Sequence, residues 1–580
     1  MTDTTGSTNG SAEQGAALPW LVMVYMAGDN NLTEDMVLAL QDLERERPPA
    51  GDVIVAQLDP SGVGLAAQRY DFTIPKRTLE DHQVPYTVAE PNTGTVRALV
   101  DFVDFSLNCA AEHQRAAEEK RAAEENRRPA EDWRKPLNYL LILSGHGSGT
   151  TEDFLLRDDE SLDSLTIPEL RTALEQVGSL IYTRTEGQTN RKSKLDIVGM
   201  DACYMGMGEV AFEIARYADV LIAPEGTAPA FGWPYGRLLA AARRLRQDNG
   251  RPGSPHELAD SIVQEYVHHY SDYDRSAGRS VDLAAINLTK IEGLEKAVGD
   301  LSTALKTADK DRITLAHWYA QTYKSDQFID LRDFCVQAYD RFRGNNDTVA
   351  TACVQVIERL DRDVDSAQTA NQEKPLTTRG RGCIIRSGCS GFAFQHSYGL
   401  AVHFPWAFVA TDYSALRFAA ATRWHEFLEK HVTETRREPR FLPNGTQKVN
   451  ENDVKDRVEV LAHRRQRQEG IASLSEQRRS RIVAGAMNPD IAAEDRFREV
   501  DCRFRQVAGL KRNRYTGEGS RYTGEGSRYT GEGSRFPDDR QRLIKNLAIP
   551  GIGIAFWPRL DPTPEEDVTE NKREELAGKP

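Results

Sequence analysis

LNYLLILSGHG (137–147) and KLDIVGMDAC (194–203) are the two stretches of the sequence that decide the fold. Each begins with a short apolar run, which is typical of a strand buried on both faces of a parallel sheet. The first run closes on Ser-Gly-His-Gly and the second on Asp-Ala-Cys. Parallel sheets collect reactive groups at the carboxyl ends of their strands. We therefore expect His146 and Cys203 to face one cleft.

Further apolar runs predict more strands of the same sheet: WLVMVYMAG (20–28), DVIVAQLD (52–59) and DVLIAPEG (219–226). Helical patterns separate the runs, at Thr33–Arg45, Thr95–Glu119 and Ile167–Val177. Strands that alternate with helices favour an α/β fold with a central, mostly parallel sheet flanked by helices.

Length and composition suggest how the chain is divided, because 580 residues exceed one simple core. We expect a disordered tail at 1–18, a catalytic core at 19–230, the C-terminal part of the same domain at 231–430 and a charged extension at 431–580. The third part is expected either to extend the sheet or to form a lid.

Two insertions and two C-terminal features stand out. Residues 109–136 contain AAEEKRAAEENRR, which predicts a solvated helical protrusion. Residues 183–194 (TRTEGQTNRKSK) are polar and basic and predict an exposed loop. RYTGEGS occurs three times at 514–534, which is typical of a flexible linker, and an apolar segment follows at 547–558.

Charge and cysteine usage limit the partners. Lys and Arg number 74 against 88 Asp and Glu, a net charge of −14, which gives no general basis for nucleic-acid binding. The basic run at 463–482 has acidic neighbours. The apolar run at 20–27 is too short for a membrane span. Seven scattered cysteines and a polar N-terminus predict a cytoplasmic protein.

A cysteine paired with a histidine is a nucleophile, because the thiolate attacks while the imidazole holds the proton. A lone cysteine after an apolar strand is more often a small buried hydrophobic residue. The glycines around His146 are unusual in a core and favour the functional interpretation. The N–H groups of Gly147 and Cys203 are the candidate oxyanion donors.

The chain resembles the clostripain family of cysteine peptidases, which belongs to the caspase-like clan. The resemblance is carried by WLVMVYMAGDNNL (20–32), LILSGHGSG (141–149), VGMDACYMGMGEVAFEI (198–214) and GWPYG (232–236), and it continues more weakly to about residue 430. It implies a caspase-like α/β fold, a His146–Cys203 dyad and peptide-bond hydrolysis through a thioester.

The resemblance also implies cleavage after Arg or Lys, which needs an acidic S1 pocket. Asp201 matches the family's pocket aspartate, although an Asp at that place also suits a helix cap. Relatives often carry a second acidic residue just before the GW pair, where this chain has Phe231. Glu225 lies nearby and is a second S1 candidate, with a structural role as the alternative.

Activation by self-cleavage between the two reactive strands is implied as well, so we expect a zymogen. The candidate sites in the 183–194 loop are Arg184, Arg191, Lys192 and Lys194, with Arg157 as a less accessible alternative. An ordinary basic surface loop is the simpler interpretation. The added segments suit docking of an activator or regulator protein, as in a prokaryotic signalling or defence system, or they are surface decoration.

No cofactor is required by this chemistry, and no zinc-type spacing of Cys and His is present. Gly28-Asp29-Asn30-Asn31 offers oxygen ligands for Ca²⁺, but it lacks the spacing of a calcium loop, and capping of the following helix is the favoured interpretation. Two other functions stay open: a cysteine-dependent transpeptidase or ligase, and an inactive caspase-like binding module.

Overall fold

The structure is a computed structural model, and it describes residues 18–61, 66–86, 91–130, 132–150, 154–186, 192–271, 279–324, 327–361, 382–406, 408–410 and 412–436. The statements below concern these residues. The predicted N-terminal tail before residue 18, the 463–482 basic run, the RYTGEGS repeats and the 547–558 segment lie outside them.

The described strands are β1 (Trp20–Gly28), β2 (Val53–Pro60), β3 (Gln68–Asp71), β4 (Gln83–Val84), β5 (Asn138–Ser144), β6 (Leu155–Asp158), β7 (Asp163–Leu165), β8 (Leu195–Asp201), β9 (Ala218–Ala223), β10 (Val281–Asn287), β11 (Thr322–Tyr323), β12 (Phe328–Asp330), β13 (Ile384–Ser390) and β14 (Ala401–His403).

The described α-helices are α1 (Thr33–Arg45), α2 (Val96–Glu124), α3 (Ile167–Arg184), α4 (Gly208–Ile214), α5 (Tyr235–Asn249), α6 (Pro255–Tyr270), α7 (Ile291–Leu305), α8 (Lys310–Tyr319), α9 (Leu331–Phe342), α10 (Asp347–Leu360), α11 (Arg417–Thr422) and α12 (Trp424–Arg436). Short 3₁₀ helices occupy Glu80–His82, Leu288–Lys290, Phe392–Phe394 and Tyr413–Ala415.

One large sheet organises the molecule, with the strand order β13-β10-β9-β8-β5-β1-β2-β3-β4. The five central strands, from β9 to β2, are parallel, and the outer strands at both edges run antiparallel. The prediction of an α/β fold with a mostly parallel central sheet is confirmed. The apolar runs that predicted strands form β1, β2, β5, β8 and β9.

Both faces of the sheet are covered by helices, which explains why its strands are apolar at every position. In β1, Met23 and Tyr25 point to one face, while Val22 and Val24 point to the other, and all four are buried. The first face packs against α2, α3 and α4, and the second against α1, α5 and α6. The central strands are thus enclosed, and the partly exposed residues His146 and Cys203 lie in the loops that follow β5 and β8.

Helix α2 corrects the predicted boundary of the charged insertion at 109–136. The helix runs without a break to Glu124, because its Ala, Glu and Arg residues are all strong helix formers. Cys109 and Ala110 are buried, so the insertion does not begin as a solvated protrusion. Further along, Glu118 is buried and accepts hydrogen bonds from Arg121 and Arg127, which fold the following turn back onto the helix.

The C-terminal part of the domain both extends the large sheet and builds a second one. Strands β10 and β13 form its outer edge beyond β9. Strands β11, β12 and β14 form a small antiparallel sheet. This small sheet lies beside the turn that carries Cys203. The two are joined by a hydrogen bond from Ala401 N–H to the carbonyl of Gly206 at 2.9 Å.

Within the described ranges, no helix combines the length and the apolar character that a membrane span needs.

A glycine in β8 controls how closely a large aromatic ring packs on the sheet. A Cβ atom at Gly199 would lie 2.6 Å from the Trp233 ring. We expect Gly199→Ala to lower the free energy of unfolding by about 1–3 kcal/mol, the usual cost of overpacking a core. Urea unfolding followed by circular dichroism measures this change.

Gly293→Ala is the matched control, because its Cβ would meet Arg359 side-chain atoms only at an ordinary 3.6 Å inside helix α7. Alanine is the better helix former, so this variant should equal or exceed the wild type in stability. Equal stability of Gly199→Ala and the wild type would contradict the packing described for Trp233.

Candidate active site

Cys203 lies in a tight turn between β8 and α4. The turn is anchored on the segment that follows β9, since Tyr204 N–H donates to the Gly226 carbonyl at 2.8 Å and Gly206 N–H to that of Pro224 at 2.7 Å. Tyr204 adopts the left-handed conformation, with φ 61°. Cys203 itself is partly exposed, and its Sγ lies 3.8 Å from the carbonyl oxygen of Ala228.

The electrostatic surroundings of Cys203 favour the neutral thiol. Burial raises its pKa above the ordinary value, and the nearby carboxyl of Asp201 acts in the same direction. Two cations, Lys324 and Arg279, oppose this effect by favouring the thiolate. Attack on a substrate therefore needs a base close to the sulfur.

His146 lies in the loop that follows β5. Its carbonyl accepts a hydrogen bond from Leu156 N–H at 2.9 Å, and Ser148 N–H donates to the Phe154 carbonyl at 3.0 Å, so the loop pairs with the β6–β7 hairpin. The imidazole is partly exposed. Its Nε2 lies 2.6 Å from the side-chain Oδ1 of Asn31, at the end of β1.

The structure brings the His146 and Cys203 loops into direct contact. Strands β5 and β8 are parallel neighbours in which Ser144 is paired with Asp201. A Cβ atom at Gly147 would lie 2.6 Å from the carbonyl oxygen of Cys203, so only glycine permits this approach. The two loops therefore leave the sheet side by side.

Two backbone N–H groups at this edge are available for hydrogen bonding. Among the described residues, neither Gly147 N–H nor Cys203 N–H has an acceptor. Both belong to residues that are partly exposed. Free donors beside a nucleophile are what an oxyanion-binding site requires.

Asp201 is buried below Cys203 and is held by three donors. Ser144 Oγ, Trp233 N–H and Tyr235 O–H all lie 3.0–3.1 Å from its Oδ2. Among the described residues no donor reaches Oδ1. Burial raises the pKa of Asp201 to about 6, although the three hydrogen bonds act to lower it. The helix-cap alternative is wrong, because α4 begins only at Gly208 and has no side-chain cap.

Glu225 does not lie in the cleft, which corrects its assignment to the S1 pocket. The side chain is fully buried, and its Oε2 accepts a hydrogen bond from Gly399 N–H at 2.8 Å. Its backbone N–H donates to Asp282 Oδ2 at 2.6 Å. Glu225 thus joins the segment behind Cys203 to the small sheet. Its role is therefore structural, which was the alternative to a role in the S1 pocket.

Glu225 is part of a buried acidic cluster with Asp282 and Asp330. Burial, reinforced by the neighbouring carboxyls, raises the pKa of Glu225 well above its ordinary value. Burial likewise raises the pKa of Asp282 to about 7 and that of Asp330 to about 6. Backbone N–H donors to Asp282 and Asp330 act in the opposite direction without overcoming burial.

The candidate self-cleavage residues are held more firmly than the sequence suggests. Arg184 is the last residue of α3, not part of a loop, and it pairs with Asp104. Lys192 Nζ lies 2.7 Å from Asp196 Oδ1. Arg191 lies outside the described residues.

The two remaining candidates are also paired with acidic residues. Lys194 Nζ lies 3.5 Å from Asp219 Oδ1. Arg157 belongs to β6 and pairs with Asp159 at 2.6 Å.

The Gly28–Asn31 loop does not cap α1, contrary to our expectation. Helix α1 follows Leu32 and has no side-chain cap. Asp29 accepts a hydrogen bond from Glu160 N–H at 2.8 Å, so its carboxylate holds the β6–β7 hairpin. No group of three or more His, Cys, Asp or Glu side chains within the described ranges is arranged to hold a metal ion.

Lys324 is a site residue that sequence reasoning missed. It lies between β11 and β12 with φ 46°, and its Nζ donates to the Ser148 carbonyl at 2.8 Å. The same Nζ lies 5.6 Å from the centre of the Tyr204 ring. Lys324 therefore bridges the loops that follow His146 and Cys203, and no local motif marks it.

Family comparison places the site in a known class. The clostripain family model matches residues 135–431, which are 297 of the 580 residues. The chain is a cysteine peptidase. It belongs to the clostripain family.

Solved structures include two clostripain-type relatives at low identity. A secreted C11 cysteine protease from Bacteroides thetaiotaomicron, in complex with an irreversible peptide inhibitor, is 16% identical with a TM-score of 0.46 and covers 70% of this chain and 99% of its own. An inactive zymogen C11 protease from Parabacteroides distasonis is 16% identical with a TM-score of 0.43, at 72% and 97% coverage. No curated protein matches this chain. The family assignment depends on the family match alone.

The acidic cluster predicts how stability changes with pH. The folded chain keeps protons up to pH 6–7 that the unfolded chain releases near pH 4, so the contribution of the cluster to the free energy of unfolding falls as pH rises. Glu225→Gln replaces one carboxyl of the cluster with an amide that stays neutral at every pH. We expect its Tm to match the wild type at pH 5.5 and to exceed it by about 2 °C at pH 8.

Differential scanning calorimetry at the two pH values measures this difference. If Glu225→Gln is less stable than the wild type at both pH values, the cluster does not titrate as described.

Proposed function

We propose that this chain is a cysteine endopeptidase in which Cys203 is the nucleophile and His146 its proton partner, with cleavage after Arg or Lys. The observation that carries the proposal is the contact of Gly147 with the Cys203 carbonyl, which brings the His and Cys loops to one edge in a clostripain-family chain.

The reaction follows from the groups at this edge. His146 takes the thiol proton, and the Sγ of Cys203 attacks the peptide carbonyl carbon. The N–H groups of Gly147 and Cys203 stabilise the oxyanion of the tetrahedral intermediate. His146 then gives the proton to the departing amine, which leaves a thioester. Water, deprotonated by the same imidazole, attacks the thioester, releases the carboxylic acid and regenerates the enzyme.

Asp201 supports a preference for a basic P1 residue. All three of its described hydrogen bonds end on Oδ2, so Oδ1 is the atom proposed to bind a guanidinium or ammonium group. Its pKa of about 6 keeps the carboxylate charged at neutral pH. A Cβ at Gly232 would lie 2.5 Å from Oδ2, so glycine is needed beside this carboxylate.

We further propose that the chain is made as a zymogen. Cleavage between β5 and β8 is the proposed activating event. Arg184 and Lys192 are both engaged in ion pairs. Arg191, in the polar and basic stretch 183–194, is the proposed residue before the scissile bond.

A reducing, cytoplasmic setting remains part of the proposal. Six cysteines lie in the described residues and all are free thiols. Four of these six are buried, where they act as small hydrophobic residues.

The S1 assignment predicts a change in substrate preference. The activated wild type should hydrolyse fluorogenic peptides with Arg or Lys at P1, and its kcat/KM for them should fall as pH drops through about 6, where Asp201 becomes protonated. Asp201→Asn should lower kcat/KM for arginyl peptides roughly a hundredfold or more, since one partner of a desolvated ion pair is lost.

Glu225→Gln is the matched control, because it changes a buried carboxyl to an amide at a position that does not line the cleft. It should keep the preference for Arg. A wild type that shows no preference for Arg or Lys would contradict the S1 assignment, and so would loss of the preference in Glu225→Gln alone.

Self-cleavage predicts a fragment pattern that depends on Cys203. Intact mass spectrometry of the purified wild type should give two fragments, while Cys203→Ala should stay whole. Arg191→Gln should slow the cleavage, and Arg184→Gln, at the end of α3, should not. A wild-type chain that stays whole, or a Cys203→Ala chain that is cut at the same place, would contradict self-cleavage.

A further inference from the structure

The loop that follows β1 presents one side chain to His146. The Oδ1 of Asn31 lies 2.6 Å from Nε2 of the imidazole. We propose that Asn31 is a positioning residue for His146, so that the peptidase site works as a Cys203–His146–Asn31 arrangement. This inference rests on the proposed function, because it assumes that His146 exchanges the proton with Cys203.

The chemistry of the contact fixes which nitrogen of the imidazole carries hydrogen. An amide oxygen accepts hydrogen bonds and cannot donate them, so Nε2 must be the protonated nitrogen of neutral His146. The nitrogen that accepts a proton is then Nδ1. Asn31 therefore selects the tautomer in which Nδ1 takes the thiol proton, and it limits rotation of the ring about its χ2 torsion.

Hydrogen bonds of the neighbouring residue Asn30 fix the loop that carries Asn31. The amide Nδ2 of Asn30 donates to the carbonyl oxygens of Ala27 at 3.0 Å and Arg157 at 2.7 Å, and its Oδ1 accepts from Leu32 N–H at 2.9 Å. Asn30 is buried, with 5% of its surface exposed. Asn31, the next residue, is exposed. The buried neighbour thus anchors the loop, and Asn31 contacts His146.

The His146 loop is anchored on the same hairpin. Leu156 N–H donates to the His146 carbonyl, and Asp159 N–H donates to the Asp29 carbonyl at 2.8 Å. The β6–β7 hairpin therefore holds both ends of the Asn31–His146 contact. The distance between the amide and the imidazole is set by backbone pairing and not by the two side chains alone.

An amide in this place has a different effect from a carboxylate. A carboxylate beside the imidazole would stabilise the imidazolium and raise its pKa, whereas a neutral amide orients the ring without adding charge. Asn31→Asp tests this distinction, since it keeps the acceptor and adds the charge.

The test measures both catalysis and the reactivity of the thiol. The full chain and the variants Asn31→Ala, Asn31→Asp and His146→Ala are alkylated with iodoacetamide from pH 5 to pH 9, and modified Cys203 is counted by peptide mass spectrometry. In parallel, kcat and KM are measured with one arginyl fluorogenic peptide. Asn30→Ala serves as the control for damage to the loop, with Tm recorded for every variant.

We expect Asn31→Ala to lower kcat by about tenfold to a hundredfold, because general acid–base catalysis by His146 would be partly lost. KM should change by less than about threefold. Its alkylation profile should shift toward that of His146→Ala, while its Tm stays near the wild type because Asn31 is exposed. Asn31→Asp should recover most of the alkylation rate and move the basic limb of the kcat profile to higher pH. Asn30→Ala should lower Tm more than Asn31→Ala does.

The test distinguishes failure of the proposed function from failure of the positioning role of Asn31. If His146→Ala leaves both alkylation and kcat unchanged, the proposed function itself is wrong. If His146→Ala abolishes kcat but Asn31→Ala keeps the wild-type kcat and alkylation profile, only the positioning role is overturned. An Asn31→Ala effect that appears in KM or in Tm alone would also overturn it, because that is the signature of a substrate contact or a structural role.

Discussion

The parallel pairing of β5 with β8 is the constraint on which the reactive edge depends. It sets Ser144 opposite Asp201, so the two loops that follow leave the sheet side by side. Gly147 then contacts the Cys203 carbonyl, an approach that any larger residue would block. Strand β1 pairs with β5 on the other side, with Met26 opposite Ser144, and ends where its loop can reach His146. Helices on both faces enclose the strands, so the loops that follow the strands form the accessible edge.

Two buried acidic residues near this edge, Asp201 and Glu225, differ in what they contact. Asp201 lies beneath the cysteine, with one carboxylate oxygen occupied by three donors. Glu225 lies behind the cysteine turn and joins it to the small sheet through Gly399. Both carboxyls have raised pKa values because of burial. Asp201 is the one proposed to bind substrate. The proximity of an acidic residue to the GW pair in sequence therefore does not establish that it lines the pocket.

The local pattern of the sequence was enough to predict the central sheet and the adjacent strands that precede His146 and Cys203. The apolar runs form the central strands, and α1 has the predicted bounds of Thr33–Arg45. The pattern was insufficient wherever a role depends on the direction of a side chain. Asn31 belongs to a loop that was interpreted as a helix cap, and only the fold shows its amide at the imidazole.

Contacts between residues that are far apart in the sequence could not be predicted from local patterns either. Lys324 lies 176 residues from Ser148, and no spacing rule connects the two. The charged segment after Cys109 was assigned to a protrusion because its composition is polar, yet α2 continues through it and packs part of it. Composition reports how strongly a residue prefers water, while burial here is decided by what the helix lies against.

The most direct test of the central claim is labelling with an arginyl chloromethyl ketone followed by peptide mapping. The chain has seven cysteines, and the account predicts that only Cys203 carries the adduct and that His146→Ala prevents it. An adduct on any other cysteine, or an adduct on Cys203 that forms equally fast in His146→Ala, would contradict it.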